Sequence, residues 1–478
     1  MYESRNEHLE DLFKPRSIAL AGISLSNPDH WTTGFFRSLV EFDFRGPMYL
    51  VNPRGGEVEG YKVYRNFDDI PDTVDYVIST VGMQASRSLV EECAGKGVKV
   101  IHFCTAGFSE TGEKDGIRSE TELVEVAREK GIRIIGPNCM GVYYPLSRLS
   151  FGIDFPKESG PVALLSQSGG NAASVVRQAG SRGIRFSKVV SYGNASDLNE
   201  SDFLEYLADD PSTTVIAMYT EGVKDGNRFR QALDRAANEK VVVLLKGGAS
   251  EGGARTAAGH TGALAGSEVI WSSLCKQLGV IQVCSLEELV DVLVTLLFMP
   301  LPEGRRAAMF GAGGGNSVLI ADEFEKMGID VPPLPEELRT RIRRFSPAAG
   351  NIFRNPIDYS QNFMETDKLT ELVSTISRWE GIDFLVGFLD LSGFVGGPTS
   401  REWVDGFDAM LKAAKACMKP VAIVMQLSAV PEDAQGILAL SQRAVRARFP
   451  IYLSFRGAAS AIGLLLDSQK HRTGALRT

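Results

Sequence analysis

Short apolar runs, each about the length of a strand, recur along the chain from Ser17 onward and alternate with stretches of amphipathic, helical character. That rhythm predicts α/β units with mostly parallel sheets. In the first block the strand candidates are Ser17–Ile23, Pro47–Asn52, Tyr76–Thr80, Val98–Cys104 and Ile132–Ile135, separated by helical stretches such as Ser86–Lys96 and Ser119–Lys130. The pattern fits a doubly wound nucleotide-binding sheet.

The periodicity lapses twice, in Tyr143–Gly160 with Pro145, Pro156 and Gly160, and in Met299–Arg305 with Pro300 and Pro302. Such clusters of turn formers mark boundaries. The second block restarts with Pro161–Ser166 and continues through Lys188–Tyr192, Thr214–Tyr219, Val241–Lys246 and Val280–Cys284. The third offers Ala307–Phe310, Phe384–Leu391, Val421–Gln426 and Ile451–Phe455. Three α/β domains are expected, at residues 1–145, 158–299 and 304–478, and the last two open alike, on a strand followed by a glycine-rich turn.

Composition adds mainly exclusions. A chain of 478 residues is long enough for two to four domains, and a net charge of −8 gives it no electrostatic reason to sit on nucleic acid or an anionic membrane. No charge-free apolar stretch reaches the ~20 residues of a membrane span. The polar, charged segment Met1–Pro15 lacks the apolar core of a secretion signal, so a cytoplasmic location is expected. The six cysteines form no CxxC pair and no metal-ligand spacing, which reads as reduced thiols and no metal site.

Candidate chemistry gathers at the strand ends. The first strand closes on Ala21-Gly22-Ile23-Ser24, where a glycine lets backbone approach a phosphate beside a helix start. Ser166-Gln167-Ser168-Gly169-Gly170-Asn171 opens the second block and Gly311-Ala312-Gly313-Gly314-Gly315-Asn316-Ser317 the third, before the helix Val318–Met327. Small residues at such turns expose backbone N–H groups next to the positive end of a helix, a setting that suits an anion. The most unusual segment is Lys246–Ser267, dense in Gly and Ala and holding a single imidazole, His260. A histidine on a glycine-rich loop can act as a nucleophile toward a phosphoryl group, or be an incidental surface residue. No other histidine lies near it in sequence to complete a metal site. An imidazole in that role needs an acceptor on its other nitrogen, and Glu221, at the end of another strand in the same block, is the candidate.

At these residues the sequence resembles the succinyl-CoA synthetase α-subunit superfamily, and within it the α subunits of ADP-forming acetyl-CoA (acyl-CoA) synthetases. Ile18–Ser24 with Val51-Asn52-Pro53 resembles the CoA-binding Rossmann domain, and Thr105–Glu110 and Ile135–Val142 match two further segments that line the CoA site. Leu165–Gly170 and Tyr219–Gly222 are similar to the segments directed at the active histidine, and Gly259–Ser267 to the histidine motif itself. Gly311–Ser317 with Asn355–Asp358 resembles the third domain of the ADP-forming branch.

The resemblance implies an N-terminal CoA-binding Rossmann-like domain followed by two flavodoxin-like doubly wound domains. It implies an NDP-forming acyl-CoA synthetase that joins a small carboxylic acid to coenzyme A through an acyl phosphate and a phosphohistidine at His260, with Glu221 behind it. Ser168, Gly169 and Gly170, with Gly313, Gly314, Gly315 and Asn316, would bind phosphate. Gly22, Ser24, Asn52, Pro53, Val81, Ala106, Gly107, Phe108, Asn138 and Cys139 would line the CoA and acyl site. No nucleotide-grasping block is found, so an ATP-grasp-type β subunit carrying ATP/ADP and Mg is implied as partner. Two segments depart from the family pattern: the first turn, Gly22–Trp31, is longer and bulkier, and Ser79–Met83 replaces a Pro-Ala turn. The rivals are a nucleotide-independent acyl-CoA transferase on the same scaffold and a CoA-responsive binding protein without catalysis.

Overall fold

The computed structural model describes residues 9–27, 30–253, 267–346, 349–363, 365–390, 401–426 and 434–475. The chain forms two compact units, one of Met1–Gly180 with Arg185–Leu286 and the other of Ser181–Ile184 with Glu287–Thr478.

The first unit holds two sheets. Strands β1 (Ile18–Ala21), β2 (Met48–Val51), β3 (Gly56–Val58), β4 (Tyr61–Tyr64), β5 (Tyr76–Ser79), β6 (Val100–Phe103) and β7 (Arg133–Ile135) pair in the order β3-β4-β2-β1-β5-β6-β7. Only β3, antiparallel to β4, breaks the parallel run. With that hairpin strand set aside, the sheet has the Rossmann order, reversing direction between β1 and β5. The second sheet comprises β8 (Gly141–Tyr143), β9 (Val162–Ser166), β10 (Phe186–Ser191), β11 (Val215–Thr220), β12 (Val241–Lys246) and β13 (Ile281–Val283), ordered β13-β12-β11-β9-β10-β8. Its parallel part is flavodoxin-like, with the reversal between β9 and β11.

The second unit repeats that plan. Strands β14 (Ala307–Gly311), β15 (Ile357–Asp358), β16 (Phe384–Asp390), β17 (Val421–Gln426) and β18 (Ile451–Tyr452) run parallel in the order β15-β14-β16-β17-β18. Most of the helix Leu286–Phe298 belongs to this unit. There Asp291 meets Arg182 at 2.5 Å and Thr295 Oγ1 lies 2.8 Å from the Tyr452 hydroxyl.

The predicted strands all form, shortened by a residue or more at many of their ends. They were visible because both faces are covered: every residue of β1, β5, β6, β9 and β14 is buried. Three features were not foreseen. The hairpin β3–β4 is partly exposed and polar, and β15 is two residues long. The strand β8 pairs antiparallel with β10, so the chain joins the second sheet already at Gly141.

One buried group sets a pH limit on the first unit. His102, on β6, is 1% exposed, and its Nε2 donates to the Cys139 carbonyl at 3.0 Å. Among the described residues Nδ1 has no hydrogen-bond partner, and a Cβ on Gly141 would come within 2.5 Å of it. Burial therefore lowers the imidazole pKa from 6.5 to about 4. The unfolded chain takes up this proton first as pH falls. The stabilisation is complete above the ordinary imidazole range and is lost as pH drops toward 4. A shift of that size corresponds to roughly 3 kcal/mol. Urea unfolding at successive pH values should show wild-type stability rising across this window, with a shallower rise in His102→Gln, which keeps a donor for Cys139 but cannot titrate.

Candidate active site

Each parallel sheet presents its crevice where strand order reverses, outside the carboxyl ends of the strands. In the first sheet that crevice lies between the segments after β1 and β5. Gly22 has φ +89°, and a Cβ there would sit 2.9 Å from the Val81 amide nitrogen, so only glycine lets the two segments approach this closely. Asn52 shapes the same turn: its Nδ2 donates to the Ile23 carbonyl at 3.0 Å and its Oδ1 accepts from Arg54 N. The Ser24 amide donates to Thr32 Oγ1 at 3.0 Å, at the start of the helix Trp31–Glu41. Pro53 and Ala106 are exposed and Val81 half-buried along this edge.

Two of the expected CoA-site residues face elsewhere. The Phe108 ring is fully buried in the core of the first sheet, so Phe108 can serve the crevice through its backbone only. Cys139 is 3% exposed and its thiol points at the Phe103 carbonyl, 3.7 Å away. Burial raises that thiol well above its ordinary range, so it is protonated and not a nucleophile. Asn138, by contrast, is half-buried at φ +58°, and its amide donates to the Thr105 carbonyl.

The crevice of the second sheet lies between the ends of β9 and β11. Gln167 follows β9 directly and is buried. Its Oε1 accepts from the amides of Glu221 (2.7 Å) and Gly222 (3.2 Å) and from Thr220 Oγ1 (3.3 Å), which fixes the backbone that carries Glu221. Glu221 is 6% exposed, and its carboxylate accepts from the Tyr219 hydroxyl at 3.1 Å. Burial and the adjoining carboxylate hold the Tyr219 phenol well above its usual range, so it remains a donor. Gly247 is needed against this ring, since a Cβ would come 2.6 Å from its hydroxyl.

Lys246 ends β12, the next strand, in register with Thr220. Its ammonium lies over the Trp271 ring at 5.6 Å and donates to the Gly247 carbonyl. Burial lowers its pKa, while the negative fields of Glu268 and Glu221 pull it back up.

The helix Gly169–Ser181 starts at this crevice. Ser168 caps it, its Oγ accepting from Asn171 N at 3.3 Å. Among the described residues no acceptor meets the amides of Gly169 and Gly170, the donors an anion would use. The two glycines differ in purpose. A Cβ on Gly169 would lie 2.3 Å from Met140 Cγ, whereas one on Gly170 would meet only Ser168 Oγ at 4.0 Å.

In the other unit, Gly313 (φ +111°) precedes the helix Gly314–Lys326. Its amide already donates to Asp358 Oδ1 (3.2 Å) and Ser360 Oγ (3.0 Å), so the turn carries its own carboxylate neighbour. His260 and the rest of Gly259–Gly266 lie outside the described residues.

The sequence reading named Glu221 and the glycines but not Gln167, Tyr219 or Lys246 as site residues. A polar residue directly after a strand at a reversal point was the available signal for Gln167.

Residues 16–145 match the family described as a CoA binding domain, and residues 159–296 the succinyl-CoA ligase like flavodoxin domain. The α subunit of the ADP-forming acetate–CoA ligase II of Pyrococcus furiosus is 37% identical over 90% of this chain and 92% of its own. The chain belongs to the α-subunit family of ADP-forming acid–thiol ligases. Within that family, acetate–CoA ligase (ADP-forming) I of Archaeoglobus fulgidus is 36% identical over 80% of this chain but only 55% of its own length. The dinucleotide forming acetyl-coenzyme A synthetase 1 of Ca. Korarchaeum cryptofilum, solved with phosphate and ADP, has a TM-score of 0.80 at 32% identity, covering 98% of both chains. The first sheet is thus the CoA-binding domain and the second a flavodoxin-like ligase domain. No helix among the described residues is long and apolar enough to cross a membrane.

Within this ligase subunit, Gln167 is the residue whose loss would be felt first at the second crevice. Replacing it by Leu leaves buried amides without an acceptor, each costing on the order of 1–3 kcal/mol. Chemical denaturation should show Gln167→Leu destabilised by about 3 kcal/mol, and hydrogen exchange should show the loss concentrated at Thr220–Gly222.

Proposed function

We propose that the chain is the CoA-binding, phosphoryl-carrying subunit of an ADP-forming acyl-CoA synthetase, with His260 as carrier. The observation that carries the reading is the second crevice. Glu221 is pinned there by Gln167 and Tyr219, in the same switch-point crevice as a capped helix start with open amides at Gly169 and Gly170. Such a site offers a carboxylate to orient an imidazole and backbone donors to receive a phosphoryl group. Neutral donors stabilise the phosphorylated imidazole without the full positive charge that would hold it too tightly.

In the direction of nucleotide phosphorylation, phosphate attacks the thioester carbonyl and expels the CoA thiolate, giving an acyl phosphate. An imidazole nitrogen of His260 then attacks phosphorus, the P–O bond to the acyl group breaks, and the carboxylate leaves. Finally the phosphoryl group passes to a nucleoside diphosphate, freeing the imidazole. Glu221 accepts the proton on the other ring nitrogen and keeps the attacking one unprotonated. CoA occupies the first crevice, against the turns of Gly22, Ser24, Asn52, Pro53 and Val81, with the backbone of Ala106–Phe108 and Asn138 around its thiol end, while the buried Cys139 packs behind them. Gly314, Gly315 and Asn316 supply a second set of phosphate donors, the Gly313 amide being engaged by Asp358 and Ser360. The carboxylic acid is small; acetate is named for the Pyrococcus and Archaeoglobus relatives and 4-hydroxybutyrate for one of Nitrosopumilus maritimus.

The nucleotide and its Mg belong to an ATP-grasp-type partner subunit. The unmatched part of the Archaeoglobus relative is where a fused counterpart of that partner would lie. We assign the domains to residues 1–145, 158–299 and 304–478 and the protein to the cytoplasm.

The test is labelled ATP added to the chain with and without its partner. An acid-labile, base-stable phosphate is expected, absent in His260→Asn and formed at least about tenfold more slowly in Glu221→Gln. No label even with the partner, together with CoA exchange between two acids, would replace this reading by the transferase.

A further inference from the structure

The first crevice is closed at its side by the turn after β10, and the contact is polar and buried. Asn194 is 1% exposed. Its Nδ2 donates to Glu110 Oε2 at 2.6 Å and to Glu120 Oε2 at 2.9 Å, with Ser109 Oγ at 3.4 Å. Its Oδ1 lies 3.5 Å from Asn138 Nδ2. Both carboxylates reach back to the loop after β6. Glu110 Oε1 accepts from the amides of Gly107 and Phe108, and Glu120 Oε2 from the amide (3.2 Å) and hydroxyl (2.6 Å) of Ser109. Lys224 lies 3.5 Å from Glu120 Oε1.

One carboxamide therefore answers two buried carboxylates that would otherwise repel each other. The backbone it ties is unusual. Gly107, Asn138 and Gly193 all have positive φ (+108°, +58° and +54°), and a Cβ on Gly193 would sit 2.3 Å from the Pro137 carbonyl. Conformations of this kind persist where surrounding contacts over-determine them. The segments so held, Ala106–Phe108 and Asn138, are those placed above at the thiol end of CoA.

We propose that Asn194 is a positioning residue for the CoA step. By bridging Glu110 and Glu120 it holds both loops in the shape that CoA meets, so that binding does not have to order them. The inference rests on the reading of the first crevice as the CoA site, and not on the phosphoryl relay. The charged groups facing the carboxamide are Glu110 and Glu120, with Lys224 behind the latter.

The test is CoA titrated calorimetrically into the purified chain, with KM and kcat measured in the complex with its partner. Asn194→Asp brings a third carboxylate against the other two, and Asn194→Ser keeps one donor for two acceptors. Near pH 8, Asn194→Asp should bind CoA roughly tenfold or more weakly, and Asn194→Ser should fall between it and wild type. KM for CoA should rise with the dissociation constant, while ATP-driven labelling of the chain, which needs no CoA, stays within about twofold of wild type. A merely structural role would lower the melting temperature and the active fraction but leave the CoA affinity of the folded chain unchanged. That result, in Asn194→Ser if Asn194→Asp does not fold, overturns the proposal. A wild-type chain that binds CoA but never takes up label removes the phosphoryl relay and leaves this inference standing.

Discussion

A carboxylate taken out of water is stable only where donors replace the water it gave up. Glu110 and Glu120 are both buried, and their oxygens are met by backbone amides, a serine hydroxyl and the Asn194 carboxamide. That requirement brings three segments together as a set: the loop after β6, the loop after β7 and the turn after β10. A second ionic contact runs alongside. Arg133 on β7 grips Asp197 through two bonds of 2.8 and 3.2 Å, and Asp197 also accepts from the Ile134 amide. The first two sheets are thus joined at their ligand-facing edges by polar contacts with direction and defined partners, which fixes geometry more closely than apolar packing does.

The same logic explains why the candidate residues sit where they do. All three sheets reverse strand order once beside their first strand, and each reversal leaves a cleft at the carboxyl ends that no crossover helix covers. Gly22, Gln167 with Glu221, and Gly313 are the residues found at those three places. Glycine recurs there for different reasons. At Gly22 and Gly169 it yields space to a neighbouring segment, at Gly313 it permits a left-handed backbone, and at Gly170 neither constraint applies.

Much of this was legible in the chain because parallel strands covered on both faces appear as unbroken apolar runs. The exceptions have physical causes. β3 and β4 sit at a sheet edge, and their mixture of glycine, charge and aromatic residues carries no alternation. β8 is three residues inside what reads as a loop, and it exists only because β10 offers a free edge. Glu221 and the glycine turns could be named because their chemistry is local. Gln167 and Asn194 could not, since each acts on residues 53 to 85 positions away. Phe108 and Cys139 misled in the opposite sense, lying in the right segments with side chains turned into the core.

The strand β8 carries a consequence for how the protein can be taken apart. It leaves the first sheet's last loop and supplies the outermost strand of the second, so the two domains share a seam and not a linker. A fragment that begins just after Tyr143 would strip β10 of its neighbour and expose a row of unpaired backbone groups, an invitation to pair with another chain. A recombination or splitting event that respects the fold must therefore fall between β7 and β8, before Gly141, and an exchange of CoA-binding domains between relatives must leave β8 with the second sheet.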